Sequence, residues 1–127
     1  MASSFEISAG KALGYTTGGA VTQGTSKATG VTLNQAAGQI TTHDASLAGG
    51  AEVSFTVTND KVAATDVVAI SLQSGASTGT YIVSISAVAA GSFDVTLSNV
   101  GTTAGEALVL NYAVIKAAAP DHGFVRF

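Results

Sequence analysis

The chain has 127 residues, five Lys and Arg against eight Asp and Glu for a net charge of −3, only 10 % charged residues, no cysteine and no tryptophan. That length suits one domain, disulfides and thiolate metal sites are excluded, and the scattered bases Lys11, Lys27, Lys61, Lys116 and Arg126 form no stripe that could neutralise phosphates. Apolar runs such as Val67-Val68-Ala69-Ile70 fall far short of the roughly 20 residues of a spanning helix, and Met1-Ala2-Ser3-Ser4-Phe5-Glu6 lacks the basic and apolar regions of a signal peptide. The expectation is a protein made in a cytoplasm, with neither nucleic acid nor membrane as partner.

Residues 1–19 carry Phe5, Ile7, Leu13 and Tyr15 between Gly10, Gly14, Gly18 and Gly19, too sparse for a core. They read as an N-terminal arm that docks on something, which makes these four residues interface candidates. From Ala20 to Lys116 the pattern is that of one β domain. Val21, Val31, Leu33 and Ile40 sit among polar neighbours, as in short half-buried strands. Val53, Phe55 and Val57 alternate with Ser54, Thr56 and Thr58, a period of two that an amphipathic helix cannot use. Asn59-Asp60-Lys61 has turn chemistry, and Val67 to Leu72, apolar on both faces, is expected to be a more central strand.

After a small-residue loop from Gln73 to Gly79, a strand from Thr80 to Val88 points Tyr81, Val83, Ile85 and Ala87 one way. Ala89-Ala90-Gly91 joins it to Phe93, Val95 and Leu97, the strongest hairpin signal in the chain. Asn99 to Glu106 reads as a loop. Ala107 to Ile115 follows as a long, largely buried strand with Leu108, Leu110, Tyr112 and Val114 on one face. Seven or eight strands joined by Gly-rich turns predict an all-β fold, an antiparallel β-sandwich or jelly roll. Pro120 ends any helical turn begun at Ala117. The C-terminal tail, residues 117–127, then closes on Phe124, Val125, Arg126 and Phe127, interface candidates read as a clasp on a neighbouring subunit.

Little catalytic chemistry is on display. Ser8-Ala9-Gly10-Lys11 has S-x-x-K spacing without its companion motifs, and Gly19 to Gly24 lacks the lysine and helix of a phosphate loop. His43-Asp44 and Asp121-His122 place imidazole beside carboxylate, but adjacent strand residues face apart and converge on no ion. The eight acids are dispersed and read as solvated turn residues. No enzyme activity, metal or cofactor is expected. A surface with so few charges is poorly protected against association, which points to a subunit of an assembly.

Gly19-Ala20-Val21-Thr22-Gln23, Thr25-Ser26-Lys27, Thr29-Gly30-Val31-Thr32-Leu33-Asn34, Gly38-Gln39-Ile40-Thr41, Val53-Ser54-Phe55-Thr56-Val57-Thr58-Asn59 and Asp66-Val67-Val68 resemble, in order and spacing, a family of small structural proteins of tailed bacteriophages. The likeness extends to Ala113-Val114-Ile115-Lys116. It implies a virion component: a capsid decoration or cement protein, a homotrimer on a β-sandwich, bound to the major capsid protein at the capsid surface. The alternative expectation is a tail-fibre or baseplate module that stacks host carbohydrate on Tyr15, Tyr81 or Tyr112. A small hydrolase or carbohydrate-binding domain would instead require convergent acids and aromatics in a pocket.

Overall fold

A computed structural model describes residues 18–117, and these form eight strands and no helix. The strands are β1 (Gly19–Thr22), β2 (Val31–Thr32), β3 (Ala37–Thr41), β4 (Glu52–Thr58), β5 (Val67–Ser74), β6 (Tyr81–Ala89), β7 (Ser92–Asn99) and β8 (Val109–Ile115). They divide into two four-stranded sheets, ordered β1-β3-β8-β5 and β2-β4-β7-β6. The expected all-β sandwich therefore forms. The interface candidates Phe5, Ile7, Leu13, Tyr15, Phe124, Val125, Arg126 and Phe127 all lie outside the described residues.

Alternation builds the core. In β4, Phe55 and Val57 are buried while Ser54, Thr56 and Thr58 are exposed, and in β7 Phe93, Val95 and Leu97 alternate with Asp94, Thr96 and Ser98. Ile40 from β3 and Leu110, Tyr112 and Val114 from β8 complete one cluster between the sheets. The Phe93 and Tyr112 rings meet there at 5.2 Å and 57°, a tilted aromatic contact between opposite sheets.

The winding is nested. β3 pairs antiparallel with β8, and β4, which follows β3 in the other sheet, pairs antiparallel with β7, which precedes β8. β5 and β6 flank these pairs, and β6 and β7 form the hairpin read from the sequence, turned at Ala90-Gly91 with Gly91 at φ 85°. Two pairings depart from an antiparallel sandwich or jelly roll: β1 with β3 and β2 with β4 are parallel. The chain alternates between sheets from β1 to β4, so each return to a sheet comes back in the same direction. Crossing to the opposite sheet thus supplies the long connection that parallel neighbours require.

Two expectations about strands need correction. Val67–Ser74 is an edge strand, not a central one, with Val67 55 % exposed. In β6 the register shifts between Ile85 and Ala87, so Val88 replaces Ala87 on the half-buried face. The β5/β6 side carries eight- and nine-residue edges, whereas the opposite side is closed by β1 and β2, with only four and two residues.

Candidate interaction surfaces

The eight strands contain two charged residues, Glu52 and Asp94, both on the outer face of the β2-β4-β7-β6 sheet. That face is a hydroxyl lattice: Ser54 Oγ and Thr96 Oγ1 lie 2.7 Å apart, Thr56 donates to Asp94 at 2.7 Å, and Thr96 donates to Ser86 at 2.8 Å. No charged residue occurs in any strand of the other sheet. Gln39 donates there to Gln73 at 2.6 Å and to Asn111 at 3.2 Å. Beside this ladder lies a shallow depression of about 240 Å³ between β5 and β8, lined by Ala69, Ile70, Ser71, Asn111, Tyr112 and Ala113.

The charges are concentrated in loops, and several are tied into the structure. Call the crown the end where β3 finishes and β8 begins. There the Lys27 side chain is buried, 3 % exposed, and its Nζ donates to the carbonyls of His43 and Glu106. Burial lowers its pKa from the ordinary value, with Asp44 and Glu106 opposing the shift. Gln23 holds the same segment, donating to Lys27 O and Thr29 O at 2.9 Å each and accepting from His43 N at 2.9 Å.

Glu106 fills a nest of donors. Its carboxylate accepts from Ser77 N at 2.9 Å, Thr78 N at 3.1 Å, Gly79 N at 2.8 Å, Ser77 Oγ at 3.0 Å and Tyr81 Oη at 2.9 Å. Its pKa is held down at about 2, first by the Ser77 N–H and then by that of Gly79. Burial foremost, with the Glu106 bond and charge, pushes Tyr81 up to about 12. Gly75, at φ 101°, brings the β5–β6 loop against the segment that leads into β8: an added Cβ would lie 2.1 Å from Ala107 O.

Asn99 is the third crown fastening. Fully buried, it donates to Leu47 O and Thr102 O at 2.9 Å each and accepts from Gly101 N at 3.0 Å. Asn99→Asp would aim a carboxylate at two carbonyls. Chemical denaturation is expected to show a loss of about 3 kcal/mol or more, with Asn99→Ala milder because it adds no buried charge. At the opposite end, the foot, Asn59 plays the matching part: Nδ2 donates to Gln35 O at 2.8 Å and to Tyr112 Oη at 3.2 Å.

Sequence reasoning placed the acids as solvated turn residues. That description fails for Glu106 and for Asp66, whose side chain is 1 % exposed. Tyr112 is 4 % exposed and presents no free ring for carbohydrate, while the half-buried Tyr81 has its hydroxyl tied to Glu106. His43 Nδ1 accepts from Ala45 N at 2.9 Å, and Asp44 lies 3.6 Å from the same nitrogen. Among the described residues no three His, Cys, Asp or Glu group together as metal ligands. Asp121-His122 and Ser8 to Lys11 lie outside those residues. Lys27, Asn99 and Glu106 carried no motif, and their only signal was a polar side chain beside glycine-rich turns.

Compared with known protein families, curated proteins and solved structures, the chain has no match.

Proposed function

We propose that the protein is a structural subunit of a tailed-bacteriophage virion, a capsid decoration protein that bridges neighbouring major capsid proteins as a homotrimer. The observation that carries the assembly reading is the charge distribution: eight strands with two charged residues, and two long edges, β5 and β6, that carry none and that no other described strand pairs with. Monomeric sandwiches guard such edges with Lys, Pro or covering loops. The capsid location rests on the sequence resemblance.

Area arithmetic limits how such a subunit attaches. Four strands about 4.8 Å apart and some 20 Å long present a face of roughly 400 Å². That is about half of the roughly 800 Å² per partner in a stable interface. A single sheet face is too small, so attachment draws on an edge or a flanking segment as well.

Binding only the assembled shell stabilises it by mass action. Particles stripped of the protein are therefore expected to release DNA at lower temperature than intact ones, and added protein should restore the difference. Unchanged release, or particle images placing the protein on the tail, would overturn the reading.

A further inference from the structure

His43 holds two partners against one ring nitrogen. Nδ1 accepts from Ala45 N at 2.9 Å, and the Asp44 carboxylate lies 3.6 Å from the same atom, just beyond hydrogen-bond reach. A ring nitrogen that accepts belongs to a neutral imidazole with its proton on Nε2, whereas both nitrogens of the charged ring donate. The Ala45 bond and a protonated ring are therefore mutually exclusive. A proton on Nδ1 forfeits that bond and creates a charged donor, for which Asp44 is the adjacent acceptor.

The surroundings confine the change to three residues. The His43 backbone is fixed on both sides: its N–H donates to Gln23 Oε1 at 2.9 Å, and its carbonyl accepts from Lys27 Nζ and from Thr42 Oγ1. Leu47 is fixed by its two backbone bonds with Ala104, at 2.9 and 3.2 Å. Between these anchors Asp44 and Ser46 rest against Gly105, where an added Cβ would lie 2.9 Å from Asp44 O.

Three charged groups are gathered round His43: Asp44 on its own segment, Lys27 from the β1–β2 connection and Glu106 from the segment entering β8. Lys27 is buried with its Nζ on the His43 carbonyl and opposes a second positive charge. Glu106 has its carboxylate turned into the nest of Ser77, Thr78 and Gly79. Asp44, its side chain 74 % exposed, is thus the acid placed to answer a proton on His43. Among the described residues of the crown loops 42–51, 75–80 and 100–108, it is also the only charge classed as exposed.

We propose that His43 is a proton-operated latch of the crown: neutral, its ring caps the turn at Ala45; protonated, it releases Ala45 and pairs with Asp44. Histidine side chains change charge between about pH 5 and 8, so the latch responds to mild acid. Acidification then frees a backbone N–H and withdraws the negative charge that the crown loops otherwise show to a partner. Every group in the latch belongs to one copy, so it stands independently of the virion reading.

Solution NMR of the nitrogen-15-labelled full chain tests the latch through the coupling between Ala45 N and His43 Nδ1 across their hydrogen bond. His122 is the only other histidine, and this readout does not involve it. The coupling is expected at about pH 8 and lost by about pH 5. Protection of the Ala45 amide from hydrogen exchange should fall about tenfold over the same range. In His43→Asn, whose side-chain oxygen can accept the same N–H two residues on, protection should stay within about twofold throughout. His43→Ala should show the unprotected state at both ends, and Asp44→Asn, which lacks the second partner's charge, should move the loss to lower pH. A coupling that persists at about pH 5, or protection that falls equally in His43→Asn, would overturn the latch. A loss unmoved in Asp44→Asn would overturn the pairing with Asp44.

Discussion

Phe93→Ala is expected to cost about 3–5 kcal/mol, the largest loss from any single truncation in the core. Phe93 is 1 % exposed, sits on the central strand β7 opposite Val57, and meets Tyr112 of the other sheet. Its removal leaves a cavity between two sheets whose backbones are fixed by ladders and cannot collapse inward. Against a typical stability of about 5–15 kcal/mol for a small domain, this is a large fraction. A calorimetric midpoint lower by roughly 15–25 °C is the corresponding reading. Phe93→Leu, which keeps most of the volume, should retain most of the stability. Equal losses for both substitutions would show that the Tyr112 contact, not the filled space, dominates.

Glu106→Gln is expected to destabilise the fold with a characteristic pH dependence that no other polar substitution at the crown shares. The carboxylate pKa is about 2 in the folded chain against an ordinary value of 4.5. A group with a depressed folded pKa contributes stability that is fully present above the unfolded value and lost as pH falls through the folded one. The gap between wild type and variant should therefore be full at neutral pH, shrink below about pH 4.5 and vanish near pH 2. A midpoint lower by on the order of 5 °C at neutral pH is expected from losing a charged acceptor for several donors. Urea melts of both proteins across that range provide the check, and a gap independent of pH would show that the nest does not depend on charge.

These two residues mark the limits of what the sequence discloses. Phe93 was legible because Phe93, Val95 and Leu97 alternate with polar residues, and alternation is a local consequence of one buried face. The hairpin was legible for the same reason, helped by Gly91 in its turn. Glu106 was not, because its partners Ser77, Thr78 and Gly79 become neighbours only when the β5–β6 connection folds against the segment entering β8. The edge position of β5 was misread because Val67 and Ala69 make its outer side apolar, a pattern shared by central strands and by edges that meet another chain. The parallel pairings of β1 and β2 were hidden too, since partner choice in a sheet is decided by the winding of the whole chain. As for sites, the interface candidates from Phe5 to Tyr15 and Phe124 to Phe127 lie outside the described residues, and the fastenings at Lys27, Asn99 and Glu106 had no spacing to announce them.

The nested winding also dictates when the core can close. β3 and β4 emerge early in synthesis, but their antiparallel partners β8 and β7 are the last two strands made. Until then the strands carrying Ile40, Phe55 and Val57 lack the central neighbours that complete their sheets, in a chain with few charges to keep copies apart. Folding dominated by such distant pairings is slow, with loop closure preceding any gain from contact. The period before β8 is complete is therefore when premature association between growing chains competes most directly with the fold.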